Sequence, residues 1–125
     1  MAVTEGMEPT PRELAERWLE CFNRGNVAQL VALYSLEAIH HSPKLRAAHP
    51  ETEGQIVGRE RLRAWWADSF ARLPGLHYRA IALTADGERA VLEYARELPG
   101  SEPLRVAEVF ICRAGEIVES FVYHG

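Results

Sequence analysis

Glu108 sits in the run VAEVFIC, residues 106–112, where every neighbour is apolar. Such a run reads as a strand buried on both faces, and an ionised carboxylate there is costly unless it is paired, hydrogen-bonded or held protonated. Two readings meet that requirement. In the first, Glu108 pairs with Arg96 or Arg105, or hydrogen-bonds Tyr94, and only stabilises the core. In the second it is a pocket acid with a raised pKa, poised to give or take a proton near neutrality. A partner for that chemistry stands at residues 36–45, LEAIHHSPKL, where His40, His41 and Ser42 close a short apolar run before Pro43. Imidazole changes charge close to neutral pH, so a histidine here suits a base; it equally suits a strand end hydrogen-bonded to loop backbone. Adjacent strand residues point to opposite faces, so at most one of the two enters a pocket, and they cannot easily chelate one metal.

The elements that must position these groups are well signalled. Thr10-Pro11-Arg12-Glu13 carries a capping threonine, a proline at the first helical position and a glutamate three residues after the cap. Leu14, Ala15, Trp18, Leu19 and Phe22 follow at helical spacing until Asn23-Arg24-Gly25. Asn26 and Gln29 repeat the cap logic for a shorter helix with Val27, Leu30, Val31 and Tyr34. A short strand is predicted at 38–41, then a polar loop over about 44–58, long enough to be a lid or a mouth. A third helix at 59–72 gathers Leu62, Trp65, Trp66, Phe70 and Leu73 on one broad face and stops at Pro74-Gly75.

Four strand-like runs follow, at about 76–84, 88–97, 104–113 and 116–124, separated by turn residues short enough for antiparallel hairpins. Three helices and a meander, with one short strand inserted, predict an α+β fold. Its cone-shaped, curved, antiparallel or mixed sheet is covered by the three N-terminal helices and encloses a pocket. Alternation puts Val106, Glu108, Phe110 and Cys112 on one face of their strand. If Tyr94 pairs with Glu108, Leu92, Tyr94 and Arg96 share that side. A three-residue last turn with a glycine bulge at Gly115 adds Val118, Ser120, Val122 and His124; a two-residue turn flips the strand instead. Under the first register Val109, Ile111, Ile117, Phe121 and Tyr123 form an outer face too apolar for water, which predicts a homodimer through that face.

Composition excludes several classes of function. The 125 residues are 47% apolar and 26% charged, with no run near the length of a spanning helix, so a soluble domain at 10–125 is expected behind a flexible tail at 1–9. The acidic start MAVTEGMEPTPRE does not suit a signal peptide, which favours a cytoplasmic protein and no membrane partner. Cys21 and Cys112 then read as two buried thiols rather than a disulfide. A net charge of -4 with scattered basic residues offers no nucleic-acid footprint. No phosphate loop, serine elbow or zinc spacing occurs, so neither cofactor nor metal is implied.

With RWLECFNRGNVAQLVALYSLEAIHHSP, GRERLRAWW and the closing RVAEVFICRAGEIVESFVYHG, the order of elements resembles the nuclear transport factor 2-like superfamily. The resemblance runs from about Pro11 to Gly125. That group holds ketosteroid isomerase, SnoaL-like polyketide cyclases, limonene epoxide hydrolase and binding proteins, and implies a cystatin-like α+β barrel. Ketosteroid isomerase uses an aspartate base with a tyrosine and a protonated aspartic acid as oxyanion hole. By position these fall at Ser42, Trp18 and Glu108, so only the acid is kept and that mechanism is disfavoured. The Asp-Arg-Asp set of limonene epoxide hydrolase is not evident either. The resemblance implies that His40 faces the pocket with Ser42, while His41 remains the alternative.

The sequence thus predicts a cofactor-free pocket protein of SnoaL-like type that binds a hydrophobic small molecule. As an enzyme it is an acid/base isomerase, cyclase or hydrolase acting on a hydrophobic carbonyl, epoxide or polyketide-like compound, with His40 as base, Glu108 as acid and Tyr94 orienting the substrate. The alternative is a non-catalytic ligand-binding or dimerisation module. Trp18, Trp66, Phe70, Tyr94 and Phe110 are expected to form an aromatic wall, or simply core; Leu92, Arg96, Ser120, Val122, His124, His41 and Ser42 complete the expected ligand contacts.

Overall fold

Thr10 opens helix α1 (Pro11–Asn23) as its sequence dictates: its Oγ1 accepts from Glu13 N–H at 3.1 Å, and Glu13 Oε1 accepts from Thr10 N–H at 2.9 Å. A computed structural model describes residues 8–124, so all but the end of the expected tail at 1–9, and Gly125, lie outside the described residues. Asn26 caps α2 (Val27–Ala32). Tyr34, expected on that helix, instead begins β1 (Tyr34–His41), four residues before the expected start of the strand. The reason is an arch. Tyr34 pairs with Ile117, the chain swings away over the next four residues, and pairing resumes at Ile39 with Glu119, so no single period describes the segment.

The expected loop at 44–58 is ordered into three small pieces. Ser42 Oγ accepts from Leu45 N–H at 3.3 Å to cap α3 (Pro43–Ala48); a single 3-10 turn (Pro50–Thr52) and β2 (Gln55–Val57) follow. Ser42-Pro43 repeats the cap-plus-proline signature of α1, so the described residues form four α-helices rather than three. Helix α4 (Arg59–Arg72) then precedes β3 (His77–Asp86), β4 (Arg89–Glu97), β5 (Leu104–Arg113) and β6 (Glu116–His124). The sheet order is β2-β1-β6-β5-β4-β3, mixed because β1 runs parallel to β6. This is the expected curved α+β architecture.

Register refines two expectations. Glu108 pairs with Leu92 rather than Tyr94, which faces Val106; a shift of two leaves every side chain on its predicted face. The last hairpin closes through a two-residue turn at Ala114 and Gly115, both at positive φ (52° and 73°), with Arg113 opposite Glu116. A bulge does exist, but it lies at Val118, between the Ile111–Glu119 and Cys112–Ile117 pairs. Ser120, Val122 and His124 therefore still share the Glu108 face, while Ile117 turns inward, fully buried, instead of joining the outer face. A second bulge leaves Ile81 unpaired in β3. Both bend the sheet around α1.

Helix α1 fills that bend. Trp18 and Phe22 are completely buried; Trp18 packs on Phe110 with centroids 5.2 Å apart, and Phe22 stacks on Tyr78 at 3.9 Å. Each such ring contributes about 2–3 kcal/mol of apolar burial. Both thiols are free; Cys112 is buried, whereas Cys21 is only half-buried, which corrects the expectation of two buried thiols. No helix among the described residues is long and apolar enough to cross a membrane.

Candidate functional site

Between α1, α3, α4 and the concave sheet lies a cavity of about 610 Å³. Its floor is made of buried side chains from β1, β4 and β5: His40, Tyr94, Val106 and Glu108. Trp65, Trp66, Phe22 and Tyr78 form aromatic sides, and exposed Lys44, His49, Asp68, Arg72 and His124, with half-buried Arg96, mark the mouth.

Glu108 is 1% exposed, and its two oxygens differ. Tyr94 Oη–H donates to Oε1 at 3.0 Å, whereas Oε2 has no hydrogen-bond partner among the described residues. Burial raises the Glu108 pKa to about 8, and the Tyr94 hydrogen bond only partly offsets this. At neutral pH Glu108 is therefore mostly the neutral acid. The same dryness, reinforced by the Glu108 charge, drives the Tyr94 phenol far above its usual range.

His40 is equally buried. Its Nδ1 lies 2.7 Å from Ser120 Oγ and 3.9 Å from Glu108 Oε2, too long for a hydrogen bond to the acid. Burial, then the neighbouring His41, pushes the imidazolium pKa down to about 3, so His40 is neutral too. Behind the floor, the Trp18 indole N–H donates to Tyr34 Oη at 2.9 Å. Trp66 lies against His40, centroids 5.4 Å apart, and its Nε1–H has no partner among the described residues. Two unpartnered buried polar atoms thus belong to the lining of one cavity. Such atoms cost roughly 1–3 kcal/mol each unless a guest satisfies them.

A family model described as a SnoaL-like domain matches residues 15–120. The chain belongs to that family. No curated protein matches the sequence. Among solved structures, a SnoaL-like protein of unknown function from Burkholderia thailandensis superposes with a TM-score of 0.81 at 18% identity, covering 92% of this chain and 94% of that one. An uncharacterised cystatin-fold protein from Novosphingobium aromaticivorans gives 0.76 at 18% identity, covering 92% and 98%. A hypothetical protein with a ketosteroid isomerase-like fold from Catenulispora acidiphila, in complex with trimethylamine, gives 0.72 at 20% identity, covering 92% and 86%. At these identities the likeness carries the fold alone.

Within this SnoaL-like frame the expected residues separate into three groups. His40, Ser42, Trp66, Tyr94, Arg96, Glu108, Val122 and His124 line the cavity. Trp18, Leu92, Phe110 and Ser120 are buried behind the lining, and Phe70 packs on Phe22 at 4.9 Å without reaching it. His41 is on the opposite face, where its Nε2 meets Glu119 Oε2 at 2.7 Å. Ser42 reaches the cavity, but its hydroxyl is occupied as the α3 cap. Glu108 has neither Arg96 nor Arg105 as ion partner: Arg105 pairs with Glu93 at 3.1 Å.

Sequence reasoning missed Lys44, Trp65, Asp68, Arg72 and Tyr78 as lining residues. The polar ones look like ordinary solvated helix positions, and only the curl of the sheet brings them to one opening. Trp65 was placed on the same broad helix face as Trp66 but not among the ligand contacts; both rings reach the cavity because α4 lies along its side. Tyr78 was readable in principle, as the inward residue at the start of β3.

Proposed function

We propose that the cavity binds a hydrophobic carbonyl compound and moves protons on it without a cofactor. The observation that carries this reading is the unpartnered Glu108 Oε2 beside a neutral His40 on the floor of the cavity. With Tyr94 donating to Oε1, the acid proton resides on Oε2 and is directed to a guest oxygen, which Trp66 Nε1–H also suits. His40 serves as base in the tautomer whose Nδ1–H donates to Ser120, leaving the Nε2 lone pair for the guest.

The proton balance explains why two groups with opposite pKa shifts belong together. An α-proton passes from the substrate carbon to His40 Nε2 while the Glu108 proton passes to the carbonyl oxygen, giving an enol, an imidazolium and a carboxylate. Each charge alone is costly in this dry site. Created together, 3.9 Å apart, they stabilise each other. Reversal at a different carbon completes an isomerisation; attack of the enol carbon on a second carbonyl gives a cyclisation.

The test uses β-tetralone, a flat apolar ketone. The protein is expected to catalyse exchange of its α-protons with deuterium oxide, and Glu108→Gln and His40→Ala are expected to lower the rate to background while retaining the native circular dichroism. Absence of exchange in the natural protein, or full exchange in both variants, rejects the reading. Thermal stabilisation by β-tetralone without exchange supports instead a ligand-binding module, which the low basicity of His40 favours. In either case the reading includes a homodimer formed through the outer face of Val109, Ile111, Phe121 and the 56% exposed Tyr123. It also places the protein in the cytoplasm with no nucleic-acid partner.

A further inference from the structure

The mouth of the cavity carries a charge that its floor does not use. Lys44 in the first turn of α3, Arg96 near the end of β4, Arg72 in the last turn of α4 and His124 at the end of β6 all reach the same opening. In a chain of net charge -4 this concentration of cations is local. Their counter-charges are few. Asp68 is matched to Arg72, Nε to Oδ2 at 2.7 Å, and His49 at the rim lies 3.4 Å from Glu51. Lys44 and Arg96 have no carboxylate within ion-pair distance among the described residues, although every other arginine toward that end of β3–β5 has one: Arg79 meets Glu97 and Arg105 meets Glu93. Burial and then the Arg96 charge lower the Lys44 pKa; burial, Lys44 and Arg96 lower that of His124. Two fixed cations and an imidazole therefore share one partly solvated corner.

We propose that this corner is a carboxylate subsite, so that the guest is a flat apolar acid whose body lies between Trp65, Trp66 and Tyr78 and whose anionic end stays at the mouth against Lys44 and Arg96. The inference rests on the small-molecule reading above and adds the substrate class to it. Arg96 presents a planar fork matched to a carboxylate, and Lys44 supplies a mobile point charge beside it. The floor agrees with this polarity, because a neutral Glu108 does not repel an incoming anion. The apolar sides between mouth and floor leave one binding direction: acid outward, carbonyl inward.

The experiment compares the naphthoate anion with neutral naphthamide, which has nearly the same shape, by calorimetry at neutral pH and low ionic strength. Naphthoate is expected to bind about tenfold or more tightly than naphthamide, a preference that shrinks as salt is raised. The double variant Lys44→Met/Arg96→Gln is expected to abolish the preference while leaving naphthamide binding within about twofold. Glu108→Gln separates this inference from the proton-transfer reading, since it is expected to keep the preference even where exchange on β-tetralone is lost. A naphthyl phosphate arm distinguishes head groups: tighter binding than naphthoate assigns the corner to phosphate and overturns the carboxylate. Equal affinity for acid and amide, no binding of either, or a preference that survives in the double variant also overturns the proposal. Because the first comparison needs no variant, a folding defect in the double mutant does not protect the idea.

Discussion

His40 and His41 are consecutive in β1, yet they stand in different media. His40 is 1% exposed, touches Ser120, Trp66 and the neutral Glu108, and is held uncharged. His41 lies on the convex face, about a quarter exposed, stacked on Phe121 at 4.2 Å and bonded to Glu119 at 2.7 Å. On that outer side a carboxylate meets the imidazole directly; on the inner side the carboxyl stays 3.9 Å away and unmatched. Full pairing is what a structural ion pair needs. A held-apart neutral pair beside a cavity is what a proton exchange needs.

The contrast is broken most forcefully by adding a carboxylate to each side in turn. His40→Glu puts a second acid against Glu108 in the dry floor and is expected to destabilise the protein by about 3–5 kcal/mol in urea unfolding. His41→Glu, beside Glu119 in partly screened surroundings, is expected to cost only about 1 kcal/mol or less. Equal losses remove the distinction between the two faces.

Titration sharpens it next. Glu108 has its pKa raised from 4.5 to about 8, so its contribution to stability is complete below 4.5 and is lost as pH rises towards 8. His40 has its pKa lowered from 6.5 to about 3, so its contribution is complete above 6.5 and is lost as pH falls towards 3. Between 4.5 and 6.5 the two slopes oppose each other, and stability is expected to plateau there and to fall on both sides. Glu108→Gln is expected to flatten the alkaline limb, a change of roughly 2 kcal/mol in unfolding free energy across it, and to tilt the plateau, because the His40 slope is then unopposed there. A limb that survives the substitution assigns it to other groups.

The smallest effect tests the support behind the floor. Tyr34→Phe removes the acceptor of the Trp18 N–H and is expected to cost about 1 kcal/mol. A loss near zero makes that bond incidental.

How much of this was legible depends on whether one period governs a segment. Helices α1 and α4 and strands β4 and β5 kept a single period, so their positions and faces were readable, whereas β3 and β6 each carry a bulge and the one in β6 reverses the expected face of Ile117. The first half of β1 was not readable, because an arch that pairs at Tyr34 and again at Ile39 obeys no repeat. Glu108 was legible as a misfit among apolar neighbours. Which imidazole joins it was not settled by alternation, since alternation separates His40 from His41 without saying which is in; the resemblance supplied that expectation. The mouth was invisible because Lys44, Asp68 and Arg72 are exposed residues on helices, and exposure looks the same in sequence whether a side chain meets open solvent or the rim of a hollow.

One residue of β6 has a wider consequence. Removing Val118 leaves Ile117 inward and Glu119 outward, the ordinary alternation, so a chain shortened by that single position satisfies every inside-outside preference of the strand. What it forfeits is curvature. The capacity of the hollow is thus encoded partly by a spacer whose own side chain never reaches it, and relatives differing by one amino acid there can share a wall chemistry yet admit guests of different girth.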